Sequence, residues 1–437
     1  MVEETRGCAE CLHYHAVSDV GMRRANNQDA YSVALSDDLD GWESRGHLFL
    51  VADGMGAHVA GEKASKMAAD GIPLHYQKFR EESAPEALRL AIMQANTEIH
   101  RMGQENVEFH NMGTTASALI LLPQGGFVAH AGDSRVYRLR DESLEQLTFD
   151  HSLVWELRAQ GQLSQDLEAS GAIPKNVITR SLGPSPNVQV DVEGPFPLEV
   201  GDTFLLCSDG LTARVEDAEI GPILANLPPQ EATQLLVDLA NLRGGPDNIT
   251  VIVTKVVDDA ITTRANAAKP IRVGEAKVPL KIDLGVGILF VLCLLTTLAL
   301  FALQQSIGGM IMISATVIVT IFAAMKILAR PEMGKTLGEQ YRLGKGPYSR
   351  TDGKISVEFL DMLETIVREL RQVIEDRQWY IQWEIFDTHH TNAVTLKQEK
   401  RFSDSLGSYW QAIAMVMQEW RTYMRKRESV GDHHIDL

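Results

Sequence analysis

The sequence predicts an α+β domain over residues 1–257, a two-helix hydrophobic hairpin over 282–328 and an α-helical region over 329–437, with 258–281 as a linker. Three observations lead there. Residues 1–257 carry short β-like runs separated by helical patterns. Two apolar stretches, 282–303 and 307–328, each approach the roughly 20 residues that a helix needs to span a bilayer. Leu360, Leu363, Val367, Leu370 and Ile374 then follow a 3-4-3-4 spacing, which makes one apolar seam on a helix.

In the first part, runs at 48–52, 115–121, 126–131, 136–139, 203–208 and 249–255 read as strands. Helical patterns lie at 61–69, 84–102 and 229–242. Strands clustered in this way, with long helices between them, predict a mixed sandwich. Residues 1–260 hold 19 Lys/Arg against 39 Asp/Glu, a net of −20 within a total of −17. So acidic a domain repels a phosphate backbone, so no nucleic-acid partner is expected. It suits divalent cations instead. Four cysteines in 437 residues do not make a disulfide framework. Cys8, Cys11, His13 and His15 resemble half a zinc site, but the second pair is missing and no metal is expected there.

In the hairpin, Asp283 is the one charge of the first stretch, and 304–306 supply a tight turn. Lys269, Arg272, Lys277 and Lys281 precede it, Lys326 lies near its end, and Arg330 and Lys335 follow it. Such an excess of basic flanks places both soluble parts in the cytoplasm and the chain in the inner (cytoplasmic) membrane, a lipid-bilayer partner. No apolar run with basic flanks opens the chain, so no signal peptide is expected. Ser356 is placed to cap the seam helix, and Arg377 interrupts the seam. A second helix carries Phe402, Leu406, Tyr409, Trp410, Ile413, Val416, Met417, Trp420 and Met424 on one face. These helices pack a core of their own or, alternatively, form a homodimer.

Four stretches carry the chemistry: Arg24-Ala-Asn-Asn-Gln-Asp29, Asp53-Gly54-Met-Gly56-Ala-His58, Cys207-Ser-Asp209-Gly210 and Gly244-Gly-Pro-Asp247-Asn248. Asp53 and Asp209 each end an apolar strand and precede a glycine, and Asp247 precedes a strand. A strand end holds a side chain rigidly, and glycine lets backbone approach a ligand. Carboxylates gathered this way repel unless a cation lies between them, and hard oxygen ligands favour Mg²⁺ or Mn²⁺.

In this order the stretches resemble the motifs of the metal-dependent protein phosphatases, the PPM or type 2C serine/threonine phosphatase family, over about residues 12–257. Gly113-Thr-Thr115, Ala131-Gly-Asp133-Ser-Arg135, Leu147-Thr-Phe-Asp-His151 and Ile178-Thr-Arg-Ser-Leu-Gly183 extend the resemblance. It implies an α-β-β-α sandwich of two antiparallel sheets around two Mn²⁺ or Mg²⁺ ions. By position, Asp53 bridges both ions and the Gly54 carbonyl binds one. Asp209 and Asp247 hold the other, and Asp29 ligates directly or through water. Asp133 with Asp209 holds a weaker third ion. Arg24 grips phosphate, and His58 is the general acid. Gln28 stands where many relatives have Glu, and Ala57 where Gly is usual. Residues 160–175 correspond to a flap beside the active site.

The resemblance therefore implies a protein serine/threonine phosphatase, and the apolar hairpin predicts that it is membrane-anchored. Its partners are phosphoserine and phosphothreonine proteins and an opposing serine/threonine kinase. The alternative is a catalytically silent phosphoprotein-binding receptor or scaffold, which Gln28 alone supports.

Overall fold

The computed structural model describes residues 8–56, 59–163, 173–174, 177–263, 271–273, 295–296, 299, 335–336, 342–377 and 381–430. The chain divides into two compact units, Met1–Lys269 with Arg342–Leu437, and Pro270–Tyr341.

The first unit holds two antiparallel sheets. One sheet contains β2 (Asp29–Ala34), β3 (His47–Met55), β5 (Ala116–Leu122), β6 (Gly125–Ala131) and β9 (Asp191–Phe196) in that spatial order, with the two-residue β4 (Gly113–Thr114) paired to β3. The other runs β1 (Leu12–Asp19), β11 (Ile249–Val256), β10 (Thr203–Cys207), β7 (Arg135–Arg140), β8 (Ser143–Gln146) and β14 (Ser349–Asp352). Alternation along each strand builds two cores at once. Val136, Phe204, Leu206 and Ile252 meet Phe49, Val51, Leu119 and Val128 between the sheets. Tyr137, Leu205, Cys207, Val251 and Val253 face outward. There they meet helices α6 (Asp217–Asn226) and α7 (Pro229–Leu242). On the other sheet, α2 (Ala60–Lys78) packs on β2 and β3, and α3 (Ala84–Glu105) lies against α2 and β6. The short helices α1 (Leu39–Ser44), α4 (Leu153–Ala159) and α5 (Asp209–Thr212) join strands. Cys11 is buried in the core between the sheets.

The C-terminal part departs from expectation. β14 pairs antiparallel with β8, Ser349 opposite Gln146, and so extends the sheet of the first part. Three helices follow: α8 (Val357–Arg377), α9 (Trp383–Gln398) and α10 (Phe402–Val430). The seam of α8 is buried, and the Ser356 hydroxyl accepts from the Phe359 N–H at its start. Leu406, Tyr409, Ile413 and Met417 of α10 share one hydrophobic core with Leu235, Leu236 and Leu239 of α7. The seam thus buries against the first part's own helices, because α6 and α7 present an apolar outer face that needs covering. The boundary expected at 329 does not separate two compact units within the described residues.

In the other unit, β12 (Arg272–Val273) pairs antiparallel with β13 (Lys335–Thr336). The spans expected at 282–303 and 307–328 lie outside the described residues, apart from Leu295, Thr296 and Ala299, which are helical. Among the described residues no helix is long and apolar enough to cross a membrane.

Candidate metal centre

The β2–β3 register sets Asp29 directly opposite Asp53. Like charges so placed destabilise a sheet unless something neutralises them. Asp53 is fixed through its backbone: its N–H donates to Thr115 Oγ1 at 2.9 Å, and its carbonyl accepts from Thr114 Oγ1 at 2.9 Å. Asp209 opens α5 at the end of β10, within hydrogen-bond reach of Asp53. Ser208 ties these elements together, since its hydroxyl donates to Asp29 Oδ2 at 2.7 Å and accepts from the Thr250 N–H at 2.9 Å. Asp133 sits in the β6–β7 turn, where Gly132 takes φ +127°. A Cβ on Gly132 would lie 2.5 Å from the Thr115 side chain. Gly54 has no room for a side chain either, as its Cβ would fall 2.2 Å from the Gly61 carbonyl oxygen.

The electrostatics are those of an overcharged pocket. Burial, then the charges of Asp209 and Asp247, push the Asp29 carboxyl up to about 7. Burial, then Asp209 and Asp150, push Asp133 up to about 7. Asp53 lies well above the usual carboxylate range through burial and the charges of Asp29, Asp209, Asp133 and Asp247. Asp209 is raised by burial and Asp247. Three buried oxygens, Asp29 Oδ1, Asp133 Oδ1 and Asp209 Oδ1, have no hydrogen-bond partner among the described residues. Orphaned anionic oxygens are rare in proteins and call for an ion or water. The donor set is all hard oxygen, so it fits Mg²⁺ or Mn²⁺.

The arrangement is not an open claw. Asp209 turns to Asp53, and Asp247 Oδ2 accepts from Arg24 Nη2 at 2.8 Å. Among the described residues no three His, Cys, Asp or Glu side chains are already set to grip an ion. Arg24 also reaches the Pro246 carbonyl at 3.4 Å, and its side chain is 46% exposed. His58 and Ala57 lie outside the described residues, as does most of the 160–175 segment. Gln28 contributes its backbone, its carbonyl accepting from the Gly54 N–H at 3.1 Å and from Ser65 Oγ.

Several supporting residues carried no assigned role in the sequence. Asn248 clamps the loop before β2: its Oδ1 accepts from the Gln28 N–H at 2.8 Å, and its Nδ2 donates to the Val20 and Asn26 carbonyls. His151 Nδ1 accepts from the Gly132 N–H at 3.0 Å, and its Nε2 lies between Asp191 Oδ2 at 2.9 Å and Arg180 Nη1 at 2.8 Å. Arg135 binds Asp150 with both Nε and Nη2. The available signal was position: Ser208 and Asn248 each adjoin one of the aspartates.

The family described as Protein phosphatase 2C matches residues 22–238. Protein phosphatase PhpP of Streptococcus pneumoniae is 37% identical over 249 residues, covering 56% of this chain and 97% of that protein. The chain belongs to the protein phosphatase 2C family. Serine/threonine phosphatase stp of Listeria monocytogenes is 35% identical over 249 residues, covering 56% of this chain and 96% of the relative. Among solved structures, the S. agalactiae serine/threonine phosphatase is similar at 34% identity and TM-score 0.49, over 56% of this chain and 99% of its own. The catalytic domain of the phosphatase PstP, solved in complex with 2 manganese ions, is similar at 33% identity and TM-score 0.48, over 56% and 99%. This phosphatase 2C chain is a protein serine/threonine phosphatase of a metal-dependent family, and 342–437 lie beyond the stretch that its family shares.

Proposed function

We propose that this phosphatase hydrolyses phosphoserine and phosphothreonine with Mn²⁺ or Mg²⁺, two ions per catalytic domain, at the cluster of Asp29, Asp53, Asp209 and Asp247. The observation that carries the reading is the set of buried carboxylate oxygens left unpartnered beside raised neighbours. Asp53 and the Gly54 carbonyl would stand at the centre of the set, and Asp133 with Asp209 would hold a weaker third ion. When bound, two such dications supply a water acidified at neutral pH and a clamp for the oxygens of an in-line displacement. The chain's residues do the rest. The Arg24 guanidinium offers a fork to the phosphoryl oxygens, for which Asp247 serves as a placeholder here. His58 donates a proton to the departing serine or threonine oxygen.

The same reading places the enzyme at the inner membrane, with both soluble parts cytoplasmic and an opposing serine/threonine kinase as its counterpart. The basic flanks of 282–328 support it. Reporter fusions at Asp259 and after Leu437 test the topology, and a far-side signal from either overturns it.

The full chain, stripped with a chelator, is assayed on p-nitrophenyl phosphate and a phosphothreonine peptide with Mn²⁺ or Mg²⁺ restored. Turnover that returns with metal is expected, while none would favour a silent phosphoprotein-binding scaffold. His58→Ala is expected to cost about 10²–10⁴-fold on the peptide and far less on the nitrophenyl ester, whose leaving group needs no proton. Equal losses on both would show that His58 only positions groups.

A further inference from the structure

We infer that Arg421 is a positioning residue for the phosphate grip: through buried Asp238 it fixes helix α7, whose C-terminal end holds the two loops that present Arg24 and Asp247. This rests on the proposed roles of Arg24 and Asp247.

Arg421 lies on α10, in the C-terminal layer beyond the stretch shared with the family. Its Nη1 is 2.5 Å from Asp238 Oδ1, and the Asp238 side chain is 0% exposed. Gln234 Nε2 adds a 3.1 Å bond to the same oxygen, and Asp238 Oδ2 has no partner among the described residues. A carboxylate so buried depends strongly on its cation. The ion pair therefore joins the leucines of α7 in fixing where that helix sits beneath α10.

One turn further along α7, Asn241 Nδ2 donates to Asp19 Oδ1 at 3.1 Å, and the same oxygen accepts from the Gly21 N–H at 2.8 Å. The helix end also captures the other loop. The Gly244 N–H donates to the Asn241 carbonyl at 2.9 Å and the Gly245 N–H to the Ala240 carbonyl at 3.0 Å. The loops then lock to each other, Met22 N–H to Gly245 carbonyl at 2.8 Å. There is no slack between them, because a Cβ on Gly21 would lie 2.1 Å from the Asp247 carbonyl oxygen. Arg24 and Asp247 each lie two residues beyond that lock, past Arg23 on one loop and Pro246 on the other. Arg24 is half exposed and meets the protein at Asp247 and Pro246, so its aim follows the loops rather than a packed socket. A shift of α7 moves both at once.

The test uses the full chain at saturating Mn²⁺. It reads inhibition by inorganic phosphate, and kcat and KM separately on a phosphothreonine peptide. Arg421→Met is expected to weaken phosphate inhibition and raise KM by about three- to thirtyfold, with a smaller change in kcat. Asn241→Ala, which leaves the C-terminal layer untouched, is expected to do the same. The double variant should shift less than the product of the two single shifts, since both act along one route. If Arg421→Met fails to fold, Arg421→Lys keeps the charge, loses the fork and carries the test at smaller amplitude. A lower melting temperature with unchanged phosphate inhibition and KM would make Arg421 a structural contact only and overturn the inference. Arg24→Ala separates the two failures. If it leaves phosphate inhibition unchanged, the reading of the site fails and takes the inference with it. If it weakens inhibition while the Arg421 and Asn241 variants do not, the inference alone fails.

Discussion

Two regions of this phosphatase bury aspartates in opposite ways. At the metal centre, carboxylates crowd one another, and three of their buried oxygens have no partner among the described residues. At the joint between α7 and α10, a single carboxylate, Asp238, has its charge met by Arg421 and its Oδ1 bonded by Gln234 as well, although its Oδ2 too has no partner among the described residues. Burial raises both kinds, Asp29 to about 7 and Asp238 to about 6, the latter held back by Arg421. The contrast shows where strain is kept. The centre stores a repulsion that a dication relieves, whereas the joint is neutralised within the chain and serves as scaffold.

The largest expected effect breaks the first region without touching the second. Asp53→Asn or Asp247→Asn is expected to lower turnover by about 10³-fold, since each takes a charge from a site that must hold dications. The fold survives. Without metal, Asp53→Asn is expected to melt higher than the wild type, because folding no longer has to bury a crowded carboxyl that resists ionisation. A tenth of wild-type turnover remaining in either variant would show that the centre lies elsewhere.

Breaking the second region is expected to damage the fold itself. The 249-residue match accounts for 97% of the pneumococcal relative, which therefore has no counterpart to most of the C-terminal layer. In this chain Leu235, Leu236, Leu239, Ile220 and Ile223 pack in one core with Leu360, Leu363, Ile413 and Met417. A fragment ending at Val257 exposes that face and leaves Asp238 without its arginine. Each fully exposed leucine or isoleucine costs roughly 1.5–3 kcal/mol. The fragment is expected to aggregate or melt far below the full chain in calorimetry. A monomeric fragment of full stability would show that the layer is dispensable.

A smaller, reversible effect comes from pH. Asp29 and Asp133 have folded-state values of about 7 against an ordinary 3.8. Between those values the folded metal-free protein binds more protons than the unfolded chain. Its stability is therefore greatest at the acid end and falls as pH rises from about 4 to about 7. Melting in chelator is expected to drop between pH 5 and 7.5, and saturating Mn²⁺ should flatten or reverse the slope. A metal-free profile that rises over this range would contradict the crowded-carboxylate account.

Legibility in the sequence follows the same division. Asp53 and Asp209 could be read because each closes an apolar strand before a glycine, and β11 because Ile249, Val251 and Val253 alternate with inward residues. The Arg24–Asp247 pairing could not, since 223 residues separate the partners. Strands β2 and β9 were missed because Asp-Ala-Tyr-Ser-Val-Ala is weakly patterned and Asp-Val-Glu-Gly-Pro-Phe contains two strand breakers. Helix α9 was missed because only Phe386 and Ala393 of its residues are buried. The seam of α8 was legible as a helix face but not as a partner of α7, because periodicity shows that a face is buried and not against what.

The smallest expected effect sharpens the comparison at the strap that leads into β14. Glu193 on β9 is 3% exposed, and burial raises its carboxyl. The strap satisfies it: the Tyr348 hydroxyl donates to Oε1 at 2.5 Å and the Gly346 N–H to Oε2 at 2.8 Å. The Leu343 N–H bonds the Gly194 carbonyl at 2.6 Å, and the Tyr348 N–H bonds the Gln146 carbonyl at 2.8 Å. Glu193 therefore belongs with Asp238, as a buried carboxylate partnered by the C-terminal part, and not with the metal centre. Tyr348→Phe keeps the ring, which packs edge-on against Phe149 at 5.5 Å, and removes one donor. The expected cost is about 1–3 kcal/mol of stability, the desolvation left uncompensated on one oxygen. Metal-restored turnover should be unchanged, since the backbone bonds still hold the strap in place. A loss of turnover without a loss of stability would place Glu193 among the groups that serve the reaction.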